Sequence, residues 1–118
     1  MRPPFPLNES ASVKLDGSGN GTLKMSPSSA KLHWKPTVAS VKVSTNVAEA
    51  QCRIYVGASP TDANFVDGTL NGSTGDSTDR VTGSEINATR DPAIWAVWTG
   101  GDPGAQGTMN LSGTATIE

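Results

Sequence analysis

"GTMNLSGTATIE", residues 107–118, sets Met109, Leu111, Ala115 and Ile117 against Thr108, Asn110, Ser112, Thr114 and Thr116. Apolar and polar side chains alternate with a period of two. In a β-strand that spacing sends one set to a buried face and the other to water. The same pattern recurs upstream. "ASVKLD" (11–16) puts Val13 and Leu15 on one face with Lys14 opposite, and "GTLKM" (21–25) does the same with Leu23 and Met25 around Lys24. "QCRIYVG" (51–57) aligns Cys52, Ile54 and Val56 inward and turns Arg53 and Tyr55 the other way. In "TVASVKVST" (37–45) Val41 and Val43 keep the period while Val38 is out of phase, which predicts a bulge or a late strand start. "FVDGTL" (65–70) is a shorter candidate, and "AIWAVWT" (93–99), apolar on both faces, reads as the most buried strand.

These runs are separated by Gly-, Ser-, Thr- and Asn-rich turns, and no long stretch carries a helical apolar period. The length of 118 residues suits one domain with a core of its own. The expected fold is all-β: a single antiparallel β-sandwich or jelly-roll-like domain over residues 11–118. Its core should include Val13, Leu15, Ile54, Val56, Met109 and Leu111. Residues 1–10 hold prolines at 3, 4 and 6 around Phe5 and Leu7, a composition that favours extended geometry and resists a central strand. That segment reads as an extended N-terminal arm, either a free tail or one laid on a neighbouring subunit through Phe5 and Leu7.

Few residue types here carry chemistry. The net charge is −2 with scattered Lys and Arg, so the basic stripe of a nucleic-acid groove is missing and no nucleic-acid partner is expected. No apolar run is long enough to span a bilayer, so no membrane partner is expected either. The N-terminus lacks the apolar stretch of a signal peptide. The single cysteine, Cys52, cannot form an internal disulfide and reads as a buried core thiol; the single histidine, His33, reads as a satisfied or surface side chain. Asp62, Asp67, Asp76 and Asp79 fall in a polar loop region, where carboxylates are expected to be solvated.

"LDGSGNGTL" (15–23) has the opening spacing of a calcium loop, but the twelfth position from Asp16 is Pro27, where a bidentate Glu is required. It is read instead as the tight turn of a hairpin. Trp95 and Trp98, three apart, should face opposite sides of a strand, one in the core and one at a subunit contact. Phe5, Leu7, Trp34 and Trp98 are therefore the candidate partner contacts, with no catalytic, metal or cofactor residues expected. Five Asn-x-Ser/Thr triplets, at Asn8, Asn20, Asn71, Asn87 and Asn110, reflect composition rather than glycosylation.

The run "AVWTGGDPGAQGTMNLSGT" (96–114) resembles a pattern in small accessory virion proteins of tailed phages that infect actinobacteria. "VKLDGSGNGTLKMSPSS" (13–29), "VSTNVAEAQCRIYVGASP" (43–60) and "NFVDGTLNGSTGDSTDRVTG" (64–83) are similar to matching parts of that group. The resemblance implies a non-enzymatic structural protein of the virion, on the capsid as decoration or in the tail as a minor protein, with a slight lean to the capsid. It implies other virion proteins as partners, homo-oligomers on the particle, and assembly in the bacterial host's cytoplasm. The alternative is a carbohydrate-binding β-sandwich used in host attachment, which would need exposed coplanar aromatic rings.

Overall fold

The computed structural model describes residues 3–44, 49–71 and 75–118. Eight strands follow in order: β1 (Phe5–Lys14), β2 (Gly21–Met25), β3 (Leu32–Val43), β4 (Gln51–Val56), β5 (Phe65–Asn71), β6 (Asp76–Thr78), β7 (Ile94–Thr99) and β8 (Gln106–Ile117). A short 3-10 turn at Asp62–Asn64 precedes β5. The strands form two antiparallel four-stranded sheets, ordered β1-β8-β3-β6 and β2-β7-β4-β5. The chain crosses between sheets at most connections, giving the strand order of a two-Greek-key jelly roll. The β-sandwich expected from the alternation is the fold.

The two sheets differ in length. The central strands of the first run for 12 residues each, about 40 Å at the rise of an extended chain, whereas the four strands of the second run for five to seven. The longest dimension of the molecule, 47 Å, follows the long sheet. Its far end, around Leu7, Trp34 and Ala115, outreaches the short sheet and needs another cover. The connection between β6 and β7 supplies it. Ile86 exchanges backbone hydrogen bonds with Trp34 (2.8 and 2.9 Å), extending the sheet beside β3, and Val81 and Ile86 are buried in the same core as Trp34.

Asn87 fixes this connection from within. Its side-chain amide donates to the carbonyls of Ala30 (2.8 Å) and Leu32 (2.9 Å), while its Oδ1 accepts from the backbone N–H and hydroxyl of Thr89. A buried amide with every group engaged is stable where it is and closed to modification.

The main core lies between the sheets. Leu15, Ile54, Met109 and Leu111 are buried there, with Val13 and Val56 half-buried against it. Trp98 is fully buried and lies against Gly107, where an added Cβ would meet the indole at 3.0 Å. Among the described residues its indole N–H has no acceptor. That omission costs about 1–3 kcal/mol. Burying roughly 150–250 Å² of ring at about 25 cal/mol per Å² returns more, so the ring stays inside.

Two expectations need correction, and one is met. The N-terminal segment is not an arm: β1 begins at Phe5 and pairs with β8 over its whole length, from Phe5 opposite Ala115 to Lys14 opposite Gln106. Proline is excluded from central strands but tolerated at a sheet edge, and β1 is an edge strand. Strand β3 likewise runs through Pro36, where a bulge between Pro36 and Val38 absorbs the irregularity that put Val38 out of phase. The Asp16 turn is not a hairpin, because β1 and β2 belong to different sheets and the turn carries the chain across the sandwich.

That turn is locked to the β7–β8 loop mainly by backbone, with one side-chain bond in which Gly100 N–H donates to Asn20 Oδ1 (3.1 Å). Gly101 N–H donates to Gly19 O (2.9 Å) and Leu15 N–H to Ala105 O (2.8 Å). The β7–β8 loop turns at Asp102–Ala105, where Ala105 N–H reaches Asp102 O (3.2 Å) and Gly104 has the positive φ of 76° that a type II turn requires after Pro103.

Two measurements test this account. Gly19 has φ 76°, and a Cβ there would lie 1.8 Å from Gly101 O, whereas a Cβ at Gly17 meets nothing. Gly19→Ala should cost more than about 2 kcal/mol in denaturant unfolding, and Gly17→Ala should stay within about 0.5 kcal/mol. Removing residues 1–10 should lower the melting temperature by about 10 °C or more, because Leu7 leaves the core and β8 loses six of its ten pairings with β1 while keeping those with β3.

Candidate functional site

Of the four expected contact residues, three are inside the molecule. Leu7, Trp34 and Trp98 are buried in the core. Inward-facing positions of β1, β3 and β7 carry them there, so none is available to a partner. Phe5 alone stays at the surface, 38% exposed on the edge strand. The two tryptophans of β7 face opposite sides, as expected: Trp98, a candidate partner contact, is the core residue, and Trp95 lies on the outer face, half-buried.

The groups that could carry chemistry are mostly engaged in structure. Asp16 Oδ1 accepts the backbone N–H groups of Ser18 (2.8 Å) and Asn20 (3.0 Å). Those two hydrogen bonds, Asn20's the larger influence, hold its carboxyl below the ordinary 3.8. His33 sits between two carboxylates. Its Nδ1–H donates to Glu85 Oε1 (2.9 Å), and Glu118 Oε1 lies 2.9 Å from Nε2, outside hydrogen-bond alignment. With a carboxylate at each ring nitrogen, no hydroxyl among the described residues is placed for activation, and the two acids lie on opposite sides of the ring rather than around one point. Among the described residues, no group of three His, Cys, Asp or Glu side chains is placed to hold a metal ion. Burial pushes the Cys52 thiol up to about 12, which leaves it a core residue without reactivity at neutral pH.

A site that the sequence reading missed lies on the outer face of the short sheet. Lys24, Trp95, Tyr55 and Phe65 face one another in register across β2, β7, β4 and β5. Lys24 Nζ stands 5.4 Å from the centroid of the Trp95 ring, a cation–π distance. Trp95 Nε1–H donates to Gly57 O (3.0 Å), and Tyr55 meets Phe65 edge-on at 5.8 Å. The row ends on Phe65, 48% exposed. Beside it is a pocket of about 400 Å³ lined by Arg53, Asp62, Phe65, Asp67, Gly68 and Arg80.

Asp67 corrects the solvated-loop expectation, since it is a buried residue of β5 with Arg80 Nε 3.8 Å from its Oδ2. Asp62, Asp76 and Asp79 are exposed, as expected. Part of the signal is present in the sequence, whose period of two points Arg53 and Tyr55 away from the core. What is absent is the pairing that brings Phe65 next to them.

Compared with known families, curated proteins and solved structures, the chain matches none. The site is therefore read from its own geometry.

The Asp16 turn makes a pH prediction. A carboxyl lowered in the folded state adds stability above its ordinary value of 3.8 and loses it as pH falls through the lower folded value. Asp16→Asn keeps an acceptor for both N–H groups but has no charge to lose. The melting temperature of the wild type should exceed that of the variant at about pH 6, with the gap closing by about pH 2. Salt should shrink it, because the group is fully exposed. Added calcium should leave both proteins unchanged.

Proposed function

We propose that this chain is a non-enzymatic structural subunit of a tailed-phage virion, seated on the particle through the Phe5 end of β1. Capsid decoration is favoured over a minor tail position. Its partners are other virion proteins and further copies of itself on the particle. The resemblance of residues 13–114 to accessory virion proteins motivates the reading. The observation that carries it is Phe5, an exposed ring on a sheet edge flanked by exposed Pro3, Pro4 and Pro6.

Prolines on an edge strand remove backbone donors and discourage uncontrolled strand pairing. An apolar anchor on such an edge suits docking by side chain into a partner's groove. The side chains with chemical potential support the same reading, since His33, Asp16 and Cys52 are committed to the fold. Jelly rolls of this order occur in viral capsids and in lectins alike, so the fold is compatible with the reading without selecting it.

The test compares purified particles carrying wild-type chain or Phe5→Ser. Losing the burial of one aromatic side chain, roughly 1.5–3 kcal/mol, should lower occupancy by about tenfold or more. The soluble variant should melt close to wild type, because Phe5 is outside the core. A wild-type chain absent from particles, or a variant at full occupancy, would overturn the proposal.

A further inference from the structure

The geometry points to the pocket beside Phe65 as a binding site for a neutral sugar, independent of any seat on a particle. An aromatic ring left half in water on a strand forgoes burial that the fold could have given it. This ring is also held in place. It lies on Gly68, where a Cβ would come within 2.7 Å of its Cζ and 2.8 Å of its Cε1, and the Arg53 stem passes 3.6 Å from the same point. Tyr55 braces its edge. The pocket is lined by two guanidinium groups, Arg53 and Arg80, and by two carboxylates, Asp62 exposed and Asp67 buried beside Arg80, so two positive charges cancel two negative ones.

Each class of ligand can be weighed against this composition. An anion meets Asp62 with Asp67 behind it, a cation meets Arg53 and Arg80, and a purely apolar molecule strips water from Arg53, Asp62 and Arg80 without replacing it. A pyranose offers what the site lacks. Its C–H face packs on an aromatic ring, and its hydroxyls both donate to the exposed Asp62 carboxylate and accept from guanidinium groups. The volume, about 400 Å³, falls in the range of small-ligand pockets, about 300–1,000 Å³.

The experiment is an amide chemical-shift titration of the whole chain with maltotriose, cellotriose and chitotriose in turn, and with trigalacturonic acid as the anionic counterpart. At least one neutral trisaccharide at millimolar concentration should give saturable shifts at Arg53, Phe65, Gly68 and Arg80, and bind more tightly than the acid. Phe65→Ala should weaken that binding by about tenfold or more. Gly68→Ala guards against loss of fold, because it displaces only the far end of the Phe65 ring and removes no polar group; it should weaken binding while the melting temperature holds. Phe5→Ser should bind as wild type. Absence of shifts with all three neutral sugars, equal or tighter binding of the acid, or wild-type affinity in Phe65→Ala would overturn the assignment.

Discussion

The mismatch in length between the two sheets shapes the rest of this molecule. A sandwich buries a sheet face only where the opposing sheet reaches, and here β3 and β8 run well past the strands that face them. The overhang has to be sealed by chain without regular pairing of its own, whose backbone polar groups then need partners. The link between β6 and β7 meets both demands. It borrows one backbone exchange from β3 at Trp34 and uses the Asn87 amide to satisfy two carbonyls of the segment entering β3. Trp34 becomes a core residue as a result, although nothing in "KLHWKP" marks it as one.

Period-two alternation made the strands legible because it records burial directly. It identified "GTMNLSGTATIE" and "QCRIYVG" correctly, and the out-of-phase Val38 announced the bulge. Neighbour relations were not legible. Three prolines gave the right warning about central strands, but the sequence does not say that the segment lies at an edge, where the warning lapses. Period two likewise put Trp95 and Trp98 on opposite faces without choosing between them. That choice depends on Gly107, which leaves room for an indole from across the sandwich.

The missed site illustrates the same limit. Lys24, Trp95, Tyr55 and Phe65 come from four separate strands, and only register makes them a row. Asp67 looked solvated amid Gly, Ser and Asp. It is buried because β5 joins the short sheet beside β4 and because β6 lies over β5, which brings Arg80 within reach.

The layout also explains how two binding surfaces could coexist on so small a chain. β1 lies over β2 on one flank, and β6 over β5 on the other. The only large apolar side chains exposed among the described residues are Phe5 and Phe65, one on each flank. A chain held by the β1 flank would therefore present the β5 flank outward, with the Phe65 pocket unobstructed. The flanks differ in kind as well. Prolines surround Phe5, which favours a dry contact with little to desolvate, whereas exposed charges of both signs, Arg53, Asp62 and Arg80, surround Phe65, which favours a hydrated ligand able to replace water there. Two edge positions of one sandwich thus carry opposite chemistries, and neither draws on the core that holds the sheets together.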